Sequence, residues 1–442
     1  MVSFPKYKIY KDSKTVFEEI PAHWDTVRLG YISDVIDPQP DHRAPAIANE
    51  GGFPYIGIRD VNQDGSLCFE TARQVVEKAI IKQEKSFSVE PKDILFGKVG
   101  TLGQPKHIKP HGRFAISATL VLIKGKKNIN RDFLKYALDS NIIYDQIECF
   151  SNGATRPALG IQQVRKILLA IPSVDEQQRI SEFLDRKTAE IDQAIEQKQR
   201  LIKLLKEQKA ILIDRAFTKG LNPNVPMRDN GIDWIGEIPK HWNISKIGFV
   251  ASVTKLTGFE YTSFWKTDEA GEIIALRGFN IGERTLNLEN TEKISLSLSH
   301  KLKRSRLKKG DLVVPCTGTL GNASVINFDE KYHINQNIAK VSIKNTNLLP
   351  SFLCYWMTSN LFREKIDRDN VSGMQPVLLI GSIRKLAVVL PSVEEQELIT
   401  QELDKENQSF DVLINKESEF IEILKELKSI IISNSVMGKI KI

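Results

Sequence analysis

The sequence predicts an α+β protein made by tandem duplication, in which two α/β modules are joined by two long helices paired as an antiparallel coiled coil, with pseudo-twofold symmetry. Three observations predict it. Residues Asp175 to Thr218 contain neither Gly nor Pro and place Leu184, Ile191, Ile195, Ile202, Leu205 and Leu212 on a seven-residue seam. A second stretch of this kind, Glu394 to Ser435, comes near the end of the chain and carries Leu403, Phe410, Ile414, Ile421, Leu424 and Ile431 at the same seam positions. Between these helices, and before the first, runs of β-forming residues alternate with turn signals.

The copies keep register over most of their length. Ile20-Pro21-Ala22-His23-Trp24 returns as Ile238-Pro239-Lys240-His241-Trp242. The same offset pairs Arg59 and Asn62 with Arg277 and Asn280, and Gly100-Thr101-Leu102-Gly103 with Gly318-Thr319-Leu320-Gly321. Ile171-Pro172-Ser173-Val174-Asp175-Glu176-Gln177 then pairs with Leu390-Pro391-Ser392-Val393-Glu394-Glu395-Gln396, the second copy having gained a single position, and the long helices follow in that register. The repeat divides the chain into a first module (1–172), a first helix (173–218), a linker with the second module (219–391) and a second helix (392–442).

Within the first module FPYIGI, DILFGKV, FAISATLVLI and ILLAI read as strands; IIALRGF, DLVVPC, NIAKVSI and LAVVL answer them in the second. RDFLKYALDSNIIYDQI and PSFLCYWMTSNLFREKI each read as a short helix. The long helices open on Ser173 with Glu176 and on Ser392 with Glu395, the spacing of a capping box. Each would run ~60 Å at 1.5 Å per residue, and neither can bury its seam alone. The late part of the first is basic (Lys198, Arg200, Lys203, Lys206, Lys209, Arg215) and the start of the second acidic (Glu395, Glu397, Glu402, Asp404, Glu406, Asp411), which favours antiparallel pairing. The linker Lys219 to Ile232 spans at most ~50 Å, too little to return comfortably for a parallel pair. Lys198, Lys209, Glu417 and Lys428 interrupt the seam, either as register markers or with stems that snorkel.

Length and charge set bounds. The 442 residues suit two to four domains. A formal charge of +7 tolerates a polyanion without demanding one. Cys68, Cys149, Cys316 and Cys354 are scattered and form no CxxC pair, so neither a disulfide framework nor a zinc site is expected. The N-terminus lacks an apolar export segment and no apolar run approaches a membrane span, so a cytoplasmic protein without a membrane partner is expected.

No motif supplies catalysis. The string nearest to an adenine methyltransferase loop, Asn222-Pro223-Asn224-Val225, lacks the second proline and the aromatic. Gly97-Lys98 and Gly438-Lys439 are not followed by Ser or Thr, so no phosphate-binding loop is present. Glu196-Gln197-Lys198 and Glu426-Leu427-Lys428 imitate a nuclease cluster but sit on heptad helices, and the histidines form no HExxH.

The positive signals concern DNA. Arg59, Asn62, Arg277 and Asn280 carry the forked groups that match guanine and adenine edges, though recurrence in both copies favours a structural role. The loops with Lys98 and Thr101, and with Thr317 and Thr319, join glycine to amide and hydroxyl donors, as a phosphate contact or a plain tight turn would. Base reading is expected where the copies diverge: Lys106, His107, Lys109, His111 and Arg113 in the first, Asn322, Ser324, Asn335, Gln336 and Asn337 in the second. Arg156 and Gln375 belong to a further polar loop in each copy, before the helix.

In order, duplication and spacing, IPxHW, GTLG, the loops at Gly153 to Pro157 and Gly373 to Pro376, and [IL]-P-S-V-[DE]-E-Q leading into a heptad helix resemble the DNA specificity subunits of Type I restriction–modification systems. The resemblance covers nearly the whole chain; Met374-Gln375 stands where the first copy has Thr155-Arg156. It implies two target-recognition domains, each reading half of a bipartite, asymmetric site in double-stranded DNA, with helix length setting the unread gap. It implies a non-catalytic subunit, partnered by two modification subunits that use S-adenosylmethionine and two restriction subunits that use ATP and Mg2+, with no cofactor or metal of its own. A coiled-coil protein scaffold without a DNA role is the alternative.

Overall fold

The computed structural model describes residues 5–41, 43–151, 157–344, 346–369 and 376–442. The chain forms two compact units, Met1–Gln199 with Ser418–Ile442, and Arg200–Glu417. Each unit therefore holds one module and a part of each long helix.

The first unit has a four-stranded antiparallel sheet in the order Ser33–Ile36, Leu120–Gly125, Ile94–Gly97, Gly103–His107. A three-stranded sheet runs Arg73–Val75, Phe53–Ile56, Ala115–Ile116, the last pair parallel. The second unit repeats both: Ala251–Lys255, Ile338–Ile343, Leu312–Pro315, Ser324–Val325, and Glu292–Ile294, Ile273–Leu276, Tyr332–Ile334, again with the last pair parallel. Small antiparallel ladders close each module, Asp25–Arg28 with Leu168–Ile171 and Asn243–Lys246 with Ala387–Leu390.

Three expected elements are subdivided. FAISATLVLI is two strands, because Ser117–Thr119 carries the chain from the smaller sheet to the larger. Each expected short helix is two, Arg131–Leu138 with Asn141–Ser151, and Pro350–Thr358 with Asn360–Asp369. The breaks fall where serine hydroxyls bond back to the preceding turn, Ser140 to the Ala137 carbonyl and Ser359 to that of Trp356, both at 2.7 Å.

The second helix of each pair is capped from a long helix. In the second unit the Asp214 carboxylate accepts from the backbone N–H of Asn360 (3.1 Å) and Leu361 (3.4 Å). In the first, the Ser433 hydroxyl accepts from Asn141 N–H at 2.9 Å. Burial raises the Asp214 pKa to about 6, against the partial relief its two backbone donors provide. The folded value exceeds the unfolded one, so folding binds this proton more tightly and stability falls as pH rises from about 4 to about 6. Asp214→Asn is expected to flatten that limb, gaining on the order of 1–2 kcal/mol over the wild type between pH 4 and pH 7.5. Chemical unfolding across this range checks it, and parallel pH profiles for the two proteins would exclude the effect.

The long helices span Val174–Lys219 and Val393–Val436. The seam is as expected: Leu184, Ile191, Leu403, Ile421 and Ile431 are buried, and Ile195, Ile202, Leu205, Leu212, Phe410, Ile414 and Leu424 are half-buried. Pairing is antiparallel within each unit. In the first, Lys428 Nζ meets Asp192 at 2.7 Å and Lys198 Nζ lies 5.0 Å from the centroid of the Phe420 ring. In the second, Lys209 Nζ meets Asp411 at 2.6 Å. The cations in the seam thus reach partners on the facing helix, and a displaced register would part them.

The motif before each helix acts on the module. Ser173 and Ser392 accept from the N–H of Glu176 (3.4 Å) and Glu395 (3.2 Å), the forward half of the expected capping box. The glutamates do not reach back to complete it. Glu176 accepts from Tyr7 Oη (2.5 Å) and contacts His23 Nε2 (3.0 Å); Glu395 accepts from Trp242 Nε1 (2.9 Å) and contacts His241 Nε2 (3.0 Å). An aromatic donor and an imidazole converging on one carboxylate offer it more than a single solvated backbone N–H would. Gln177 and Gln396 are buried and bridge backbone groups at both ends of their amides, Gln396 accepting from Leu349 N–H and donating to the Asn347 carbonyl. The two repeated blocks, IPxHW and SVxEQ, are therefore halves of one clasp.

Candidate nucleic-acid interface

In each module a three-residue crossing links the two sheets and is fixed by its main chain. Ser117 N–H donates to the Ile56 carbonyl and Lys98 N–H to that of Thr119, both at 2.8 Å. At the same place in the second module Asn335 N–H donates to Leu276 (3.1 Å) and Cys316 N–H to Asn337 (2.8 Å). The frame repeats while its side chains do not.

This geometry corrects one pairing read from the repeat. Ile56 and Leu276 occupy equivalent ladder positions, each just before a 3-10 turn or its cap, and their separation exceeds the offset that pairs the other blocks. The Asp60 carboxylate accepts from Gly57 N–H at 2.9 Å, and the Asn280 amide oxygen accepts from Arg277 N–H at 2.9 Å. Arg277 thus stands where the first module has Gly57, and Asn280 where it has Asp60. Arg59 and Asn62 are not their counterparts, because the second copy carries a short insertion before this turn.

Four further expectations are corrected by where the side chains end. Asn280 is fully buried and donates to the carbonyls of Asn287 (2.9 Å) and Glu289 (3.3 Å), which leaves no edge for a base. Lys98 is buried against Asp37 at 2.6 Å. Lys106 ties down the 3-10 turn through the carbonyls of Ile58 (3.2 Å) and Val61 (2.5 Å), and burial pulls its pKa down. Arg113 forks onto Glu84 (3.0 and 2.9 Å) and meets Glu77 at 2.6 Å. These cations serve the module.

Other expected residues face outward. Arg59 is exposed and, among the described residues, makes no hydrogen bond or ion pair. Asn62 is exposed and donates to Ser66 Oγ at 2.9 Å; Lys109 holds Asp64 in an open ion pair at 3.1 Å, worth little and readily exchanged. Thr319 is exposed, Thr101 and Thr317 half-buried. Asn322 donates to the Ile281 carbonyl at 3.0 Å. The GTLG turns take positive φ at Gly100 and Gly103 (79° and 74°) and at Gly318 and Gly321 (80° and 82°). A Cβ on Gly103 would come within 2.7 Å of Tyr144, and one on Gly321 within 2.5 Å of Arg363, so the turn itself requires these glycines. Arg156 and Gln375 lie outside the described residues.

The second module gathers several expected residues around a concavity of about 250 Å³, lined by Arg277, Thr317, Asn335, Gln336 and Asn337 with Tyr261, Phe279 and Glu292. Arg277 donates through Nη1 to Glu292 Oε1 at 2.9 Å, and its guanidinium carbon lies 5.0 Å from the centroid of the Phe279 ring. Asn335 Nδ2 donates to the other oxygen of Glu292 at 3.3 Å. Sequence reasoning missed Glu292 and Phe279; the aromatic close to an arginine was visible, whereas the acid lies on the neighbouring strand and carried no signal. No group of three or more His, Cys, Asp or Glu able to hold a metal ion occurs among the described residues, and no helix is long and apolar enough to cross a membrane.

Residues 21–204 and 239–422 each match the Type I restriction modification DNA specificity domain. Over 433 residues the chain is 23% identical to the specificity subunit of the type I restriction enzyme MjaVIII from Methanocaldococcus jannaschii, covering 96% of this chain and 94% of that one. It is 22% identical over 359 residues to the EcoBI specificity subunit of Escherichia coli, covering 80% and 73% of the two chains. In fold it is similar to a solved chain from work on complex assembly and conformational transition of the type I R-M system, with a TM-score of 0.67 and 18% identity over 95% of this chain and 99% of that chain.

Proposed function

This chain belongs to the Type I restriction modification DNA specificity family, and we propose that it reads a bipartite, asymmetric site in double-stranded DNA, one module to each half-site. It is a specificity subunit and not itself an enzyme. The observation that carries the reading is one backbone frame used twice with different side chains at the same crossing, Ser117-Ala118-Thr119 against Asn335-Gln336-Asn337. Two readers that share a scaffold but not a sequence preference require this combination.

Family membership supports the rest. Two modification subunits would supply adenine methylation with S-adenosylmethionine, and two restriction subunits would supply ATP- and Mg2+-dependent translocation and cleavage in the cytoplasm. The long helices would space the readers and offer their outer faces to the catalytic subunits. Arg59, Lys109, Thr101, Thr317, Thr319 and Asn322 are proposed DNA contacts, as are Arg156 and Gln375.

Exchanging Phe53 to Ser151 for the corresponding segment of a relative is expected to change one half of the methylated motif and leave the other intact, as read by genome-wide methylation sequencing. A motif unchanged in both halves would remove the DNA-reading role and leave a protein scaffold. Sequence-specific binding by the assembled complex should also weaken steeply with salt.

A further inference from the structure

We infer that Arg277 reads a guanine in the half-site of the second module, and that Glu292 and Phe279 are positioning residues that hold its guanidinium in register for the O6/N7 edge. The inference rests on the DNA-reading function proposed above and names the chemistry of one of its sites.

Geometry supports it first. Arg277 engages Glu292 through Nη1 alone, and among the described residues Nε and Nη2 have no partner. Two adjacent donors are therefore left for a bidentate contact, the arrangement that matches guanine in the major groove. Phe279 backs one face of the guanidinium and Glu292 fixes one end, so few rotamers remain to be lost on binding. Glu292 is itself held by Asn335, which makes the support rigid. As a stabilising feature the pair explains little: the Arg277 side chain is 47% exposed, and such ion pairs contribute at most about 1 kcal/mol.

Comparison within the chain supports it second. The frame is the same in the first module, but the polar members of the constellation are replaced. Gly57 stands for Arg277 and Arg73 for Glu292, by the equivalent ladder positions, while Ser117 stands for Asn335. The first module cannot make this contact with this element. Variation confined to outward side chains on an invariant backbone marks a reading position, because a framework contact would have been retained in both copies.

The test uses the full-length chain in complex with its modification subunit, on duplexes carrying the methylated motif. Each guanine of the second half-site is replaced in turn by 7-deazaguanine, which keeps O6 but lacks the N7 acceptor. The wild-type complex is expected to lose roughly 10- to 100-fold in affinity at one position. Arg277→Ala should show no further loss at that position, and Arg277→Lys, which keeps the charge, should not restore discrimination. Glu292→Gln, which preserves an acceptor for Asn335, should narrow guanine-over-adenine discrimination several-fold while leaving the melting temperature unchanged. A purely structural role would move the melting temperature and not the base preference. Equal sensitivity of wild type and Arg277→Ala at every guanine, or a second half-site without guanine, would overturn the assignment. Failure of the wider reading is distinguishable, since the wild-type complex would then prefer no sequence and the exchange of Phe53 to Ser151 would leave the motif unchanged.

Discussion

Inserting one heptad into each long helix, between Gln199 and Arg200 and between Glu417 and Ser418, should widen the unread gap of the methylated motif by about three base pairs. The insertion points lie where the two compact units divide, so each unit keeps its own module and helix segments. A heptad preserves the phase of the seam, and the ion pairs Asp192–Lys428 and Lys209–Asp411 remain within their own units. Seven residues add ~10.5 Å at 1.5 Å per residue, and B-DNA rises ~3.4 Å per base pair. Activity should drop as well, since three base pairs also turn one half-site about the DNA axis. Methylation sequencing reads the gap directly; the original spacing, retained with both half-sites unchanged, would reduce the helices to a tether.

A larger loss of stability is expected from Phe217→Ala. Phe217 lies near the end of the first long helix, fully buried in the second module, its ring 4.9 Å from Phe352 and 5.5 Å from Trp356, both edge-on. Truncation removes an aromatic and leaves a cavity between the helix and the module, at a cost of about 3–5 kcal/mol. Phe217→Leu should recover most of it. The position corresponding to Phe217 in the first unit is Val436, also buried, so truncation there removes less and should cost less. Denaturant unfolding of the variants checks the order, and a loss below about 1 kcal/mol for Phe217→Ala would show that the helix end is held by other contacts.

The long helices were legible in the sequence because a seven-residue apolar period survives any surroundings: every seam position is buried or half-buried. Repetition located IPxHW and SVxEQ but could not say what they do, since His23 and Glu176 stand 153 residues apart in the sequence and meet only in the fold. Local chemistry suggested a capping box, and a distant imidazole and aromatic hydroxyl competed successfully for the carboxylate. The cations misled for the same reason. Lys98 looks like a phosphate ligand and Arg113 like a base reader until Asp37 and Glu84 arrive beside them, and nothing near them in sequence announces those partners. Matching letters at one offset also paired Arg59 with Arg277, whereas the ladders make Ile56 the equivalent of Leu276 and break that offset. The residues around the concavity of the second module were partly legible as divergent polar positions; their mutual bracing was not.

The ends of the crossings Ser117–Thr119 and Asn335–Asn337 are anchored by peptide N–H and carbonyl groups, which every amino acid except proline supplies alike. Heritable change at Gln336 and Asn337 is thereby uncoupled from folding: a substitution there changes an outward side chain and keeps the bonds that anchor the ends of the crossing. A library randomised at Gln336 and Asn337 should consist mostly of folded proteins, and new preferences could arise by single steps through intermediates that are never unstable. Under the reading function proposed above, such a lineage can drift between targets with the architecture of the module standing still.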